Sequence, residues 1–206
     1  MTSRRQPAAR RYDTLLAKGE ERKLQILAVA QRLLVRKGWR STSLALIATE
    51  AGVSQAGLLH HFESKEQLLH SILDARDADD AKHVDLSGDI IEQIERVADR
   101  FTRSPELIGM YIVLLTENLG PGDPLRDRLV GRHRIARDTV AAGIRRGQRM
   151  GKYRADINPT AKAVEIIAFL NGMETSWLLD PSIPLAVVFR EYCRSLSREL
   201  TLAGTY

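Results

Sequence analysis

The placement of proline constrains the fold of this 206-residue chain more than any other sequence feature. No proline lies between Pro7 and Pro105. Three later prolines follow a residue whose side chain can cap a helix, in the pairs Ser104-Pro105, Asp123-Pro124 and Asn158-Pro159. This pairing is typical of helix N-termini, because the first helical residue has no intrahelical partner for its N–H. The sequence therefore predicts helices that begin near residues 105, 124 and 159.

Apolar residues recur at helical spacing along the rest of the chain. The first predicted helix ends before Gly38, and its apolar stripe consists of Leu24, Leu27, Ala28, Ala30, Leu33 and Leu34. Further helices are predicted from the stripe over 90–101, from the apolar segments 105–119 and 159–179, and over about 184–202. A capping-box match at Ser64 and Gln67 starts another. No segment has the period of two that strands require, so we predict an all-α fold with about nine helices.

Composition narrows the class of protein. Hydrophobic residues make up 44% of the chain, which is enough to bury a core. No apolar run reaches the roughly 18–20 residues that cross a bilayer, and the N-terminus lacks the apolar region of a signal peptide. Cys193 is the only cysteine, so an intrachain disulfide and a Cys-rich zinc site are both excluded. We therefore expect a cytoplasmic protein without a membrane partner.

Positive charge is concentrated at the N-terminus. Residues 1–42 contain eleven Lys and Arg against three acidic residues, whereas the whole chain carries +5, so the remainder is slightly acidic. A basic end indicates either a polyanionic partner or a solvated helix face. We expect residues 1–19 to form a flexible arm that either follows a DNA minor groove or gives only nonspecific attraction. Its arginines are Arg4, Arg5, Arg10 and Arg11.

A second basic run spans residues 126–154 and contains ten Lys and Arg against two Asp. It could form a second nucleic-acid surface, attract an anionic ligand, or neutralise the acidic stretch over 74–89. Of these alternatives we favour pairing within the molecule or with solvent.

Residues 43–62 have the pattern of a helix-turn-helix. Ser43 can cap a short helix, Gly52 can adopt the positive φ of a tight turn, and Ser54 can cap a second helix over 55–61. Leu58 and Phe62 share a face of that second helix, which can pack on Ile47 and Ala48. The outward face, which we expect to meet a DNA major groove, consists of Gln55, Ala56, Gly57, Leu59 and His60.

The stretch from residue 20 to about residue 80 resembles the DNA-binding domain of the TetR (tetracycline-repressor-like) family of bacterial regulators. The resemblance lies in the order and spacing of ILAVAQRLLVRKGW, STSL, IATEAGVS and GLLHHFESKEQLL. The segment FLNGMETSWLLDP at 169–181 is similar to one that family members often show in their penultimate helix. The resemblance implies a three-helix DNA-binding domain over 20–80 and a helical ligand-binding and dimerisation domain over 81–206.

The resemblance also implies roles for individual residues. Thr42 and Ser43 at the start of the second helix would meet phosphate, and Lys65 at the start of the fourth would contact phosphate as well. Gln55, Ala56, Gly57 and His60 would face base edges. Ser54 and Leu59 complete the predicted DNA-binding set. Many members carry Thr and Tyr where this chain has Gly57 and Leu59, so Leu59 keeps an apolar contact with a thymine methyl but loses the hydroxyl.

The predicted effector pocket rests on polar residues within apolar helices. Such residues indicate either interhelical hydrogen bonds or a pocket for a largely apolar ligand with a polar group. The candidate lining residues are Met110, Tyr111, Leu114, Glu117, Asn118, Phe169, Leu170, Met173 and Trp177.

No motif for catalysis or for a phosphate-binding loop is present, so we predict neither an enzyme nor a cofactor. His60 and His61 are adjacent and point about 100° apart on a helix, so we expect no metal site there. The resemblance implies a homodimeric regulator, most simply a repressor that leaves a pseudo-palindromic operator when a small molecule binds. Its dimer would form through the last two helices. The alternatives are a nonspecific nucleoid-type DNA binder and a small all-α enzyme.

Overall fold

The computed structural model describes residues 7–83 and 88–201, apart from the side chains of residues 7–16, 79, 80 and 83. Within these ranges the chain forms nine α-helices and no strand, which confirms the predicted all-α fold. The helices are α1 (Pro7–Lys37), α2 (Leu44–Glu50), α3 (Gln55–His61), α4 (Lys65–His83), α5 (Ile90–Arg103), α6 (Pro105–Glu117), α7 (Arg126–Arg149), α8 (Pro159–Leu179) and α9 (Leu185–Leu200). Among them, no helix is long and apolar enough to cross a membrane.

The chain divides into two compact units, Met1–Ala78 and Asp79–Tyr206. In the first unit α2 contacts both α1 and α3. Its core is fully buried and is made of side chains from all four helices, among them Ile26, Leu34, Ile47, Leu58, Phe62, Leu68, Leu69 and Ile72. Burial of this apolar surface, at about 25 cal/mol per Å², holds short helices that would be unstable alone.

The second unit is organised around α5 and α8. Helix α5 contacts α6, α7 and α9, and α8 contacts α6 and α7. Aromatic rings from three helices meet in its core, where Phe101 lies edge-on to Phe189 at 5.6 Å and to Trp177 at 6.0 Å. Phe169 stacks on Tyr192 with ring centroids 3.6 Å apart. The pairs α5–α9 and α7–α8 therefore share one apolar core.

The three predicted Pro-linked helix starts have different outcomes. Asn158 caps α8 as predicted, since its side chain accepts from the Thr160 and Ala161 amides. Helix α6 begins at Pro105 as predicted, but the Ser104 side chain makes no capping bond. A helix does begin near residue 124, but α7 starts at Arg126 with Leu125 at its N-cap, so the predicted Asp123 cap is wrong. The Asp123 carboxylate instead accepts from the Gly120 amide and closes the preceding turn.

Helix α1 differs from the sequence prediction at its start and on its apolar face. It already begins at Pro7, so the predicted flexible arm over 1–19 is helical from that residue onward. Residues 1–6 and the Arg10 and Arg11 side chains lie outside the description. Leu24 is 65% exposed, and the buried stripe uses Ile26 and Val29 in its place. Ala28 is likewise exposed.

The start of α5 is tied to the segment that follows α7. Asp89 caps α5 in a capping box with Glu92, and the Lys152 ammonium pairs with its carboxylate. Burial opposes the ionisation of Asp89, but the hydrogen bonds from Lys152 and from the helix amides outweigh it and lower its pKa. The D-I-I-E pattern at 89–92 matches the capping-box pattern, although our sequence analysis did not single it out.

Candidate nucleic-acid interface

The predicted helix-turn-helix is formed by α2, α3 and the turn between them. The Ser43 hydroxyl accepts from the Leu46 amide at 3.1 Å and starts α2. The turn passes through Gly52, whose φ of 65° is in the left-handed region that favours glycine. The Ser54 hydroxyl then accepts from the Gly57 amide at 3.0 Å and starts α3. Each of these three local features was predicted from the sequence.

Helix α3 is anchored on one side and open on the other. Leu58 and the following Phe62 are completely buried, as is Ile47 of α2. Because α3 has only two turns, fixing this side fixes the direction of the whole helix. The exposed side carries Gln55, Ala56, Leu59 and His60, with Gly57 half-buried beside them.

The two predicted phosphate contacts before α2 differ in exposure. Ser43 is exposed, so its hydroxyl proton is available to a phosphate while its oxygen caps α2. Thr42 is only 1% exposed, and its hydroxyl donates to the Gly38 carbonyl at 2.7 Å. The expectation that Thr42 meets phosphate is therefore wrong for its side chain, because the hydroxyl stabilises the turn after α1.

Lys65 has a partner that the sequence did not reveal. Its ammonium donates to the Trp39 carbonyl at 2.8 Å and lies 3.9 Å from the centroid of the Trp39 ring. The Trp39 side chain is 7% exposed, so the indole is part of the core behind α1. Lys65 thus joins the start of α4 to the end of α1. The sequence signal was indirect: Trp39 follows the Gly38 stop, where no further helical turn donates an N–H to its carbonyl.

Helix α3 itself carries no acidic residue, although Glu63 follows it and Glu66 lies in the first turn of α4. Neither α2 nor α3 has an acidic residue in its first turn, and the last turn of α3 holds His60 and His61. The two imidazole rings meet edge-on at 5.6 Å. Arg36, Lys37 and Arg40 at the end of α1 are exposed. Among the described side chains, no group of three His, Cys, Asp or Glu could hold a metal ion.

The predicted effector-pocket residues of α6 are buried or half-buried. On α6, Met110 and Leu114 are fully buried, and Arg132 covers the Tyr111 ring. Asn118 is 2% exposed and satisfies both ends of its amide, since it donates to the Leu114 carbonyl and accepts from the Leu125 amide. Asn118 therefore anchors the turn after α6. Glu117 is half-buried.

The α8 members of the predicted pocket pack on the core of the second unit. Phe169, Leu170, Met173 and Trp177 are partly buried against it, whereas the predicted α6 residues are not part of that cluster. Glu174, one turn from Leu170, is 5% exposed and pairs with Arg100 of α5 at 2.5 Å. This ion pair is the polar element within the apolar α5–α8 contact.

A cavity of about 460 Å³ lies elsewhere, in a groove between α5 and α9. Its lining includes Glu92, Glu95 and Asp99 along α5, together with Phe189 and Arg190 of α9. None of the nine predicted pocket residues lines it. The predicted pocket therefore stays a prediction.

Comparison with known proteins places this architecture among bacterial regulators. The family model for bacterial regulatory proteins of the tetR family matches residues 26–72, which span the end of α1 through α4. The HTH-type transcriptional regulator TtgR of Pseudomonas putida is 29% identical over 177 residues, covering 79% of this chain and 82% of TtgR.

Solved structures share the fold over nearly the whole chain. NalD of Pseudomonas aeruginosa, the secondary repressor of the MexAB-OprM multidrug efflux pump, superposes with a TM-score of 0.74 at 17% identity, covering 90% of this chain and 98% of NalD. A transcriptional regulator of Saccharomonospora viridis in complex with choline superposes with a TM-score of 0.67 at 24% identity, covering 89% and 100% of the two chains. The helix-turn-helix, the family match over residues 26–72 and these relatives together support a regulator of the tetR family.

Proposed function

We propose that this protein is a sequence-specific DNA-binding repressor of transcription that reads the major groove with α3. One observation carries the proposal: Leu58 and Phe62 fix α3 in the core, while Gln55, Ala56 and His60 remain exposed. A recognition helix needs this combination, because base readout requires side chains presented at a fixed angle.

The exposed residues fit distinct parts of DNA. Gln55 can form paired hydrogen bonds with adenine, and Leu59, which is 39% exposed, can contact a thymine methyl. Ser43 and Ser54 can donate their hydroxyl protons to phosphate while their oxygens cap α2 and α3. Lys65 has three donors and uses one on the Trp39 carbonyl, so it can contact phosphate as well.

We propose that the protein acts as a homodimer through α8 and α9. In the single chain Val164 and Leu179 of α8 are 49% and 86% exposed, and Val187 of α9 is 51% exposed. Ala161 and Ala168 lie at helical spacing on the same face of α8 as Val164 and are also exposed. An exposed apolar face of this length indicates an interaction surface that a partner covers. Twofold symmetry would place two α3 helices about 34–36 Å apart, as a pseudo-palindrome requires.

The effector is proposed to be a small, largely apolar molecule with a polar group, held between α6 and α8. The choline complex of the Saccharomonospora viridis regulator supports a small-molecule site in this fold. Here the Arg100–Glu174 pair would supply the polar contact. The ligand would release the operator by binding more tightly to the dimer arrangement that does not fit DNA. The size of the effect is set by the difference in ligand affinity between the two arrangements.

Tryptophan fluorescence tests the effector site, because the chain has only two tryptophans. In the Trp39→Phe variant, Trp177 is the sole emitter, and an apolar ligand between α6 and α8 should quench or shift its emission. The Trp177→Phe variant, which keeps Trp39, is the matched control and should show no change. Equal responses of the two variants would place the ligand elsewhere.

A competition experiment tests the proposed DNA recognition. Duplexes selected by the protein from a random pool should bind about 10³-fold or more tightly than unselected duplexes at the same salt concentration. The Gln55→Ala variant should lose about 1–3 kcal/mol of discrimination at one position of each half-site. Equal affinity for all duplexes would instead identify a nonspecific nucleoid-type binder.

A further inference from the structure

Helix α7 has a row of arginines on its exposed side. Arg134, Arg145, Arg146 and Arg149 are all exposed and lie within a sector of about 120° around the helix. We call these four residues the α7 arginine face. Ile135, Asp138 and Ala142 lie between them in the same sector.

Most neighbouring cations are already paired with carboxylates. Arg137 pairs with Asp138 and Arg154 pairs with Asp156. The predicted pairing with the acidic stretch 74–89 is present between Lys152 and Asp89. By contrast, none of the described carboxylates forms an ion pair with the face residues Arg134, Arg146 or Arg149. Arg145 makes a long hydrogen bond of 3.2 Å to the Thr160 hydroxyl.

The helix dipole accounts for only part of this arrangement. Cations in the last turn of a helix are stabilised by its carbonyl end, and Arg146 and Arg149 lie in the last turn of α7. Arg134 lies in the first half of the helix, where the dipole has no such effect. The helix dipole therefore explains Arg146 and Arg149 but not Arg134.

The dimensions of the face fit a linear polyanion. Residues 134 and 149 are separated by about 22 Å along the helix axis at 1.5 Å per residue. A duplex of that length carries about 13 phosphate charges. A guanidinium group can bind two phosphate oxygens at once, which suits the regularly spaced phosphates of a nucleic-acid backbone. Asp127 and Asp138 are the acids of α7 in this sector, and Arg137 already pairs with Asp138.

We propose that the α7 arginine face binds the phosphate backbone of a second nucleic-acid segment, without reading its sequence and independently of α3. A protein held at one site by α3 would then gain a second contact that brings two segments together. The inference rests on the proposed function only in that α3 supplies the first contact.

The test removes the α3 contact first. In a Gln55→Glu, His60→Glu background, binding of a labelled 30-bp duplex of random sequence is measured at several KCl concentrations. Residual binding should persist. Adding Arg134→Gln, Arg146→Gln and Arg149→Gln should weaken this residual binding about tenfold or more. The salt slope, which is the steepness with which the logarithm of the binding constant falls with the logarithm of the KCl concentration, should decrease by about 2–3. Arg134→Gln alone, which leaves the last turn of α7 unchanged, should lower the slope by about 1.

The matched control removes the same charge from paired arginines. Arg137, Arg154 and Arg194 each pair with a nearby carboxylate, so changing all three to Gln should alter the slope by less than the face variant does. Equal effects of the two triple variants, or no residual binding in the background, would overturn the inference. The inference would also be overturned if the α7 arginine face were needed to bind polyglutamate but not to bind the duplex. Unchanged affinity of the background variant for selected duplexes would contradict the proposed role of α3 instead, and would leave the α7 result intact.

Discussion

At the scale of single residues, Lys65 shows how one side chain can serve both stability and binding. Its ammonium is a second donor to the Trp39 carbonyl, which also accepts from the Thr42 amide at 3.1 Å, and it covers the indole ring. A hydrogen bond from a charged donor contributes about 1.5–3 kcal/mol, and a partly exposed cation–π contact contributes about 0.5–1 kcal/mol. The phosphate contact implied by the family resemblance would use a different donor of the same ammonium group.

The Lys65→Ala variant should therefore show two changes. We expect the free energy of unfolding to fall by about 1–2 kcal/mol, measured by urea denaturation, because the Trp39 carbonyl loses its charged donor. The salt slope of DNA binding should fall by roughly 1 for each ammonium removed from a phosphate. Lys65→Arg is the control that keeps the charge. Lost stability with an unchanged slope would show that Lys65 only positions α4.

Thr42 illustrates why exposure has to be established before a residue is assigned to a site. Its place at the start of the second helix suggested a phosphate contact, and Ser43 beside it is exposed as that role requires. The Thr42 hydroxyl, however, donates to the Gly38 carbonyl four residues earlier in the chain. A side chain at a turn can bond backward or point outward, and the sequence does not decide between the two.

At the scale of helices, α3 depends on its cap because it is only seven residues long. The Ser54 hydroxyl satisfies the Gly57 amide at the helix start. An added Cβ on Gly57 would lie 3.2 Å from that hydroxyl oxygen, so glycine fits closely beside the cap. The low helix propensity of glycine, about 1 kcal/mol below alanine, increases the dependence of α3 on Ser54.

Two Ser54 variants separate the cap from the DNA surface. Ser54→Ala should lower the free energy of unfolding by about 1 kcal/mol, because the Gly57 amide loses its acceptor. Ser54→Asp should keep the stability, since aspartate caps as well as serine. It should nevertheless weaken DNA binding, because it places a negative charge beside phosphate. Wild-type DNA affinity of the Ser54→Asp variant would show that this end of α3 faces away from DNA.

The caps also show what local sequence can and cannot predict. Ser43, Ser54 and Asn158 act as predicted, because an acceptor side chain before a helical pattern has one dominant use. Asp123 closes a turn with Gly120, since a loop offers competing amides nearby. The phase of α1 was also misjudged at Leu24, where periodicity shows that a stripe exists but not which of two adjacent stripes is buried.

Helix α5 gives a prediction on pH. The pKa of Asp89 is lowered in the folded protein, so its ionised form stabilises the fold at pH values above its ordinary value of 3.8. That contribution is lost as the pH falls through the lowered pKa. Asp89→Asn should be less stable than the wild type by about 0.5–1 kcal/mol near neutral pH, because it loses the Lys152 pair.

The difference between Asp89→Asn and the wild type should shrink below about pH 4 and disappear in stronger acid. Asp99→Asn, an exposed position on the same helix, is the control and should change stability little at any pH. Urea denaturation at a series of pH values measures both variants. A constant difference between neutral and strongly acidic pH would mean that the Asp89 charge does not stabilise α5.

At the scale of the whole molecule, the proposed dimer accounts for the exposed apolar face of α8 and α9. Val164→Glu would bury a charge at that interface, so we expect a shift from dimer to monomer in sedimentation velocity. Ile135→Glu is the matched control, because Ile135 is 69% exposed on α7, outside the last two helices. If Val164→Glu remains as dimeric as Ile135→Glu, the dimer uses another surface.

The effector site was the part of the molecule that sequence could predict least. Phe169 and Trp177 are core residues that stack and pack with Tyr192 and Phe101, and the same apolar character would suit a pocket. Residue type alone does not separate a packed core from one that opens, because both bury the same side chains. The arrangement of the proposed DNA-binding residues was more predictable, since it depends on short-range caps and one glycine turn.

The most direct test of the account is a hydroxyl-radical footprint on the DNA that flanks the protein's own gene. The account predicts protection of one limited segment, in two half-sites about one helical turn apart, which Gln55→Ala alters at a single position in each half-site. Uniform protection along the fragment, or none, would contradict the claim that two outward-facing α3 helices recognise base sequence.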